Sequence, residues 1–356
     1  MSGSLSPSVP NDERTKHYPL RVANAVYARG GTVRSLPKPL DTFPRIMETE
    51  GMAFLFKPFG MDQLYRLLAC HCPILLRRPF GWGIEMFAAT FVARVAIAPP
   101  VPFDIFFVDE CTMDSGVGLH EDTILLLDMR GADVEADVAV EADLDAALTK
   151  YVHRRCQQHV EHYGMSDIPS MKSFLGFSSP AAKIITYTAN ESHRHHLPMI
   201  LLIENFDDMQ APAAESVVDT FFHELEHIVV TARIKGLVLF SDMYDEKPPV
   251  PNLQHAIDIT HHPAFQTAVG CTEQDVRDLN RALAKSFPES PGYVSKMLVD
   301  KALSPLFFAH EDWDQELQPS HPLRVAELDM SEAHRGVYPL EPVLEVLTEQ
   351  YSLRRT

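Results

Sequence analysis

The chain has 356 residues, 46% hydrophobic and 22% charged, the balance of an ordinary soluble globular protein with room for one large α/β core or two modest ones. Its formal charge of −18 argues against nucleic-acid capture, which rewards clustered Lys and Arg. Five cysteines (Cys70, Cys72, Cys111, Cys156, Cys271) are odd in number and scattered, which argues against a disulfide framework and for a reducing, intracellular setting, by default cytoplasmic with the nucleus left open.

The first segment, MSGSLSPSVPNDERTKHYP, is polar and lacks the apolar stretch of a secretory leader. Residues 1–40, rich in Ser, Pro and Arg, read as a flexible or loosely docked arm. From residue 41 the texture is globular, and an α/β domain is expected over 41–270. Four continuous apolar runs predict buried parallel strands: Pro73–Leu76, Thr123–Asp128, Met199–Ile203 and Gly236–Phe240. Helical patterns lie between them, at Met86–Ala93, Leu144–Tyr163 and Ala213–Thr231. Strand and helix in alternation predict a doubly wound, mainly parallel sheet. The longest apolar stretch, residues 87–108, is interrupted by Arg94, Asp104 and prolines, so no membrane span is expected. Over 271–356 the strand signals stop and a helical, lid-like subdomain is expected. Its first helix has a Thr-x-x-Asp start at Thr272, and further helices are expected at Tyr293–Phe308 and Glu341–Tyr351.

The segment ILLRRPFGWGIEM has the layout of a strand, a glycine turn and a helix. In a working phosphate loop the turn's N–H groups surround the phosphates, a lysine neutralises them and a Ser or Thr hydroxyl holds magnesium. Here Gly81, Trp82 and Gly83 keep the turn and Arg78 precedes it, but Ile84 and Glu85 stand where the lysine and the hydroxyl would be. A tight strand-to-helix turn with no ligand accounts for these residues equally well.

RRPFGWGIEMFAATF resembles the phosphate loop of the predicted AAA-ATPase-like family, Arg-Arg-Pro-Arg-x-Phe-Gly-Lys-Ser/Thr, and the chain looks like a degenerate member akin to its fungal representatives. Further segments match in order over roughly residues 41–350. ILLIENFDDM resembles the Walker B strand, GLVLFSD the sensor strand ending at Ser241, and DITHHPAFQTAVGCTEQDV and GVYPLEPVLEVL two downstream blocks. The resemblance implies a P-loop NTPase fold. It sets Glu204 at the metal-coordinating Asp of Walker B and Asn205 at the Glu that orients the attacking water, with Asp207 kept. An amide is a poor general base. Phosphoryl transfer rests on positioning and charge neutralisation, so the implied protein is a pseudo-ATPase that binds ATP and magnesium weakly or not at all and works through a protein partner or another ligand. A slow NTPase that recruits Arg77, Arg78 or Arg233 is the first alternative, and the oligomeric state stays open.

FFHELEHIVV supplies a second alternative, a zinc hydrolase. His223 and His227 share a helix face, Glu224 would be the base, and Glu246 or Asp242 the third ligand. Against it, Glu226 puts a charge at a position such sites keep neutral. The smaller clusters read as ordinary: Cys70-His71-Cys72 is too tight for a zinc site, His193, His195 and His196 form a polar loop, His261 and His262 flank a helix start, and Asp114 and Asp128 end a loop and a strand. Cys271 precedes a helix N-terminus, which favours a lowered thiol pKa, but no His or Asp is placed to make it a nucleophile and it too reads as ordinary.

Overall fold

The computed structural model describes residues 25–29, 32–37, 43–98, 121–132, 141–165, 180–206, 215–231, 234–243, 253–288, 328 and 335–351. Its centre is a sheet of five parallel strands: β3 (Pro73–Pro79), β4 (Thr123–Asp128), β5 (Met199–Glu204), β6 (Gly236–Met243) and β7 (Ile257–Asp258), ordered β4-β5-β6-β3-β7. Alternation along each strand sends side chains to two apolar layers. Ile74, Leu76, Ile200, Leu202, Val238 and Phe240 pack with helices α1 (Phe43–Glu48), α2 (Pro58–Leu68) and α3 (Ile84–Val95). Leu75, Leu125, Leu201, Ile203, Leu237 and Leu239 pack with α4 (Glu141–His162), α5 (Ala181–Arg194) and α6 (Glu215–Val230). Both faces are covered, which is why these strands are continuously apolar in sequence and were legible as such.

The four expected strands are all present, and β7 is an addition. Two residues form too short a run to stand out, and β7 exists because it pairs with Ile74 and Leu75 of β3. The chain leaves β3 through α3 towards the β4 edge, whereas after β6 it passes beyond β3 to β7, so its direction across the sheet reverses between β3 and β6. In open α/β sheets that reversal opens a crevice at the strands' carboxyl ends.

A smaller unit sits beside the sheet. Strand β1 (Ala25–Ala28) pairs antiparallel with β2 (Ala53–Phe56), β8 (Cys271–Thr272) pairs antiparallel with β9 (Val337–Tyr338), and each of β8 and β9 leads directly into a helix, α7 (Glu273–Ser286) and α8 (Leu340–Gln350). A capping box between Thr272 and Asp275 starts α7, as the Thr-x-x-Asp pattern predicts. Val33, Leu36, Leu279, Leu283, Leu347 and Tyr351 share one buried cluster. Residues 25–29 and 32–37 are therefore part of the fold, and the expectation of a loose arm does not hold for them. A four-residue strand paired with a distant segment carries no periodic signal. The helix expected at Tyr293–Phe308 lies outside the described residues. Among the described residues no helix is long and apolar enough to cross a membrane.

Candidate functional site

Strand β3 ends in two arginines that its pleat turns to opposite faces. Arg78 is fully buried and donates to the carbonyl oxygens of Thr260 (2.7 Å), Phe265 (2.9 Å) and Arg77 (2.9 Å). Burial lowers its pKa to about 9, with Asp258 acting in the opposite direction. Arg77 donates from Nη2 to Asp258 Oδ2 at 2.6 Å, and its backbone N–H donates to Thr260 Oγ1 at 3.1 Å. Both side chains clamp the β7 segment onto β3. Neither supplies the cation that Arg78 was expected to bring to the phosphate turn, because a buried guanidinium is held wherever carbonyls can satisfy its N–H groups.

The turn itself has the expected backbone. Gly81 (φ 80°) and Gly83 (φ 86°) are left-handed, and Gly83 caps α3. Trp82 is buried, with its ring against Gly270, where a Cβ would lie 2.7 Å from Trp82 Cε3. Ile84 is 3% exposed and belongs to the α2–α3 core layer. Glu85 instead faces outward, with Oε1 2.7 Å from Arg130 Nη1. On the side where a Cβ would stand, both glycines meet the start of α8. A Cβ on Gly83 would lie 2.6 Å from Leu340 Cδ2, and a Cβ on Gly81 would lie 3.1 Å from Glu341 Oε2. The Glu341 N–H donates to the Gly81 carbonyl at 3.0 Å. Burial, then Glu345 and Glu85, raise the Glu341 carboxyl above the usual range.

Beside the turn, the tips of β4 and β5 are joined by charge. Arg130, on a 3-10 turn (Met129–Ala132), grips Asp128 with Nε (3.1 Å) and Nη2 (3.0 Å) while its Nη1 holds Glu85. Asn205 Nδ2 donates to Asp128 Oδ1 at 2.9 Å. Asn205 is itself left-handed (φ 55°), and its N–H donates to the Phe240 carbonyl of β6. Burial pulls the Asp128 pKa upward, but the hydrogen bonds from Arg130 and Asn205 outweigh it and hold the carboxyl below its usual range. A continuous polar chain, Glu85–Arg130–Asp128–Asn205, thus joins the first turn of α3 to the end of β5.

The 81–85 turn and the end of β5 are therefore linked through the tip of β4 at the carboxyl end of the sheet, with β6 between β3 and β5. Glu204 is half-buried in register with Asp128. Ser241 is buried opposite Arg77, and its Oγ has no hydrogen-bond partner among the described residues. Asp207 and Arg233 lie outside the described residues. Sequence reasoning missed Arg130 and read Asp128 as an ordinary strand-end carboxylate. The available signal was an Asp closing a strand with an Arg two positions on.

The other candidates are dispersed. His223 and His227 are exposed on α6, Glu224 is half-buried, and Glu226 points inward to accept from the backbone and ring of His255. Glu246 and the Asp242 side chain lie outside the described residues, and among the described residues no three His, Cys, Asp or Glu are grouped to hold a metal ion. His193, His195 and His196 are exposed at the end of α5, and His261 is exposed, whereas His262 is buried and accepts from the Ala264 N–H at 3.1 Å. Asp114 is outside the described residues. The Cys271 expectation reverses: burial pushes its thiol up to about 12, with nearby Lys57 only partly opposing it. Low dielectric destabilises the thiolate more than the helix terminus favours it.

Behind the turn lies an apolar cavity of about 50 Å³, bordered by Phe54, Trp82, Gly83, Phe87, Leu279 and Leu340. Lys57 at its edge is bound to Asp275 (2.7 Å) and to the Thr267 carbonyl (3.2 Å), so the buried carboxylate of the α7 capping box also ties α7 to the α2 segment. Comparison of the chain with protein-family models, curated proteins and solved structures finds no match.

Proposed function

We propose that this chain is a degenerate AAA-ATPase-like protein with a P-loop NTPase fold, a pseudo-ATPase that acts in the cytoplasm by binding a protein partner and does not hydrolyse ATP efficiently. The observation that carries this reading is the content of the turn. Gly81 and Gly83 keep left-handed backbone suited to enclosing an anion, while the space they border holds Leu340 and the Glu341 carboxylate.

The charge balance supports it. Arg77 is engaged by Asp258, Arg78 by carbonyl groups, and Arg130 by Glu85 and Asp128. A triphosphate would meet the Glu341 carboxylate instead, and two like unit charges about 4 Å apart repel by about 4 kcal/mol at surface-like screening. Phosphoryl transfer depends on neutralising that charge and aligning the attacking water. Asn205, at the water-orienting position, has an amide that donates to Asp128 and cannot take a proton near neutrality.

Calorimetric titration with ATP and ADP in the presence of magnesium, read alongside phosphate release, tests this reading. No saturable binding below millimolar nucleotide and no release above background are expected. Micromolar binding with steady turnover would replace it with the slow-NTPase reading.

A further inference from the structure

The start of α8 does two separable things. Its body anchors the small unit: Val343, Leu347 and Tyr351 are buried with Leu279 and Leu283 of α7. Its first two residues lie at the margin of that core, with Leu340 packed against it. Leu340 and Glu341 are only half-buried, and they project past the β8–β9 pair onto the glycine turn. There the Glu341 N–H, one of the helix-start donors that lack an intrahelical acceptor, is satisfied by the Gly81 carbonyl at 3.0 Å. Leu340 Cδ2 occupies the side of Gly83 where any Cβ would come within 2.6 Å, and the Glu341 carboxylate occupies the corresponding side of Gly81 at 3.1 Å. One side chain excludes by volume, the other by charge.

We propose that the Leu340–Glu341 step is an autoinhibitory contact: it closes the glycine turn against polyphosphate groups, which can reach Gly81–Gly83 only when this step is off the turn. The proposal rests on the pseudo-ATPase reading and names what enforces it. The loss of function then has two layers, a missing lysine and a filled turn, and the second is reversible without altering β3 or α3. The recognised chemistry is a chain of phosphates, whether it comes from a nucleoside triphosphate or from an inorganic polyphosphate.

The full chain and a Leu340→Ala/Glu341→Ala variant would be titrated calorimetrically with magnesium tripolyphosphate and with magnesium ATP. Glu345→Ala removes one negative charge from the next turn of α8 without touching the glycines and serves as the charge control. The double variant is expected to bind both probes at least tenfold more tightly than the unaltered chain, and Glu345→Ala to leave binding unchanged. A folded double variant with no gain overturns the proposal. So does an equal gain in Glu345→Ala, which would reflect net charge alone, or a gain for ATP without one for tripolyphosphate, which would place the effect at the base and not at the turn. If the double variant fails to fold, Glu341→Gln decides: a gain of several-fold supports the contact and none overturns it. Micromolar ATP binding with turnover by the unaltered chain would instead overturn the pseudo-ATPase reading, so the two failures are distinct.

Discussion

The two ends of the central sheet use the same ionic chemistry in different dielectric settings. At the amino ends, Asp122 is fully buried. It accepts from Lys235 Nζ at 2.8 and 2.9 Å and from the Tyr65 hydroxyl at 2.9 Å, which ties α2 to the lead-ins of β4 and β6. At the carboxyl ends, Arg130 is half exposed between Glu85 and Asp128. In the first cluster the Asp122 carboxylate is enclosed and depends on Lys235 and Tyr65 for solvation, while the Lys235 side chain is 26% exposed. The second is screened by water, and its members can change partners at small cost. Charges at the base tie elements together in a dry setting, while charges at the tips sit in water.

Mutation can break that contrast. The largest expected effect is at the base. Asp122→Ala strands the Lys235 ammonium against Tyr65 and should cost about 3–5 kcal/mol in urea unfolding, the usual penalty for half of a buried pair. A loss no greater than that of a surface pair would show the base to be as wet as the tips.

Next comes Ile84→Lys, which puts a lysine where a working phosphate loop would carry one. Because Ile84 faces the α2–α3 core layer, the new ammonium enters apolar surroundings. Stability should fall by about 3 kcal/mol, with no gain in ATP affinity. Tight ATP binding by this variant would mean that the side chain at 84 reaches the turn.

Acid supplies a third test, between the two ends. His159 donates from Nδ1 to the Ile124 carbonyl at 3.1 Å, and His262 accepts from the Ala264 N–H. Burial lowers both to about 4. The unfolded chain therefore binds more protons than the folded one between about 4 and the ordinary histidine value of about 6.5. Stability should be fully present above that upper value and fall as the pH drops through the window. A His159→Phe/His262→Asn variant with an unchanged acid midpoint would count against this.

The smallest effect is expected at the tips: Arg130→Ala should change stability by less than about 1 kcal/mol, because its partners Glu85 and Asp128 are solvent-screened. A larger loss in thermal unfolding would place Arg130 with the enclosed clusters.

The outcomes of the sequence reading follow the same divide. The four main strands, the cap of α7 and the left-handed glycines were legible because each is written in adjacent residues: a continuous apolar run, a Thr-x-x-Asp spacing, a Gly-x-Gly. Strands β1 and β7 were not, since each is too short to show a period and exists through its partner. Arg77 and Arg78, adjacent in sequence and alike in chemistry, leave β3 on opposite faces, and only the neighbouring 258–265 segment explains what each one binds. Arg130 went unread because its role is defined by Glu85 and Asp128, which the helix start and the strand tip bring together.

Hydrophobic pattern and turn chemistry are short-range properties, so the chain alone determined a parallel α/β sheet, a glycine turn between β3 and α3, and an amide just after β5. What fills that turn is a long-range property. Leu340 and Glu341 reach it only because β8 and β9 pair and set the start of α8 against Gly81 and Gly83. Side-chain direction and the identity of distant neighbours depend on packing, and packing decided that the turn is closed by the chain itself.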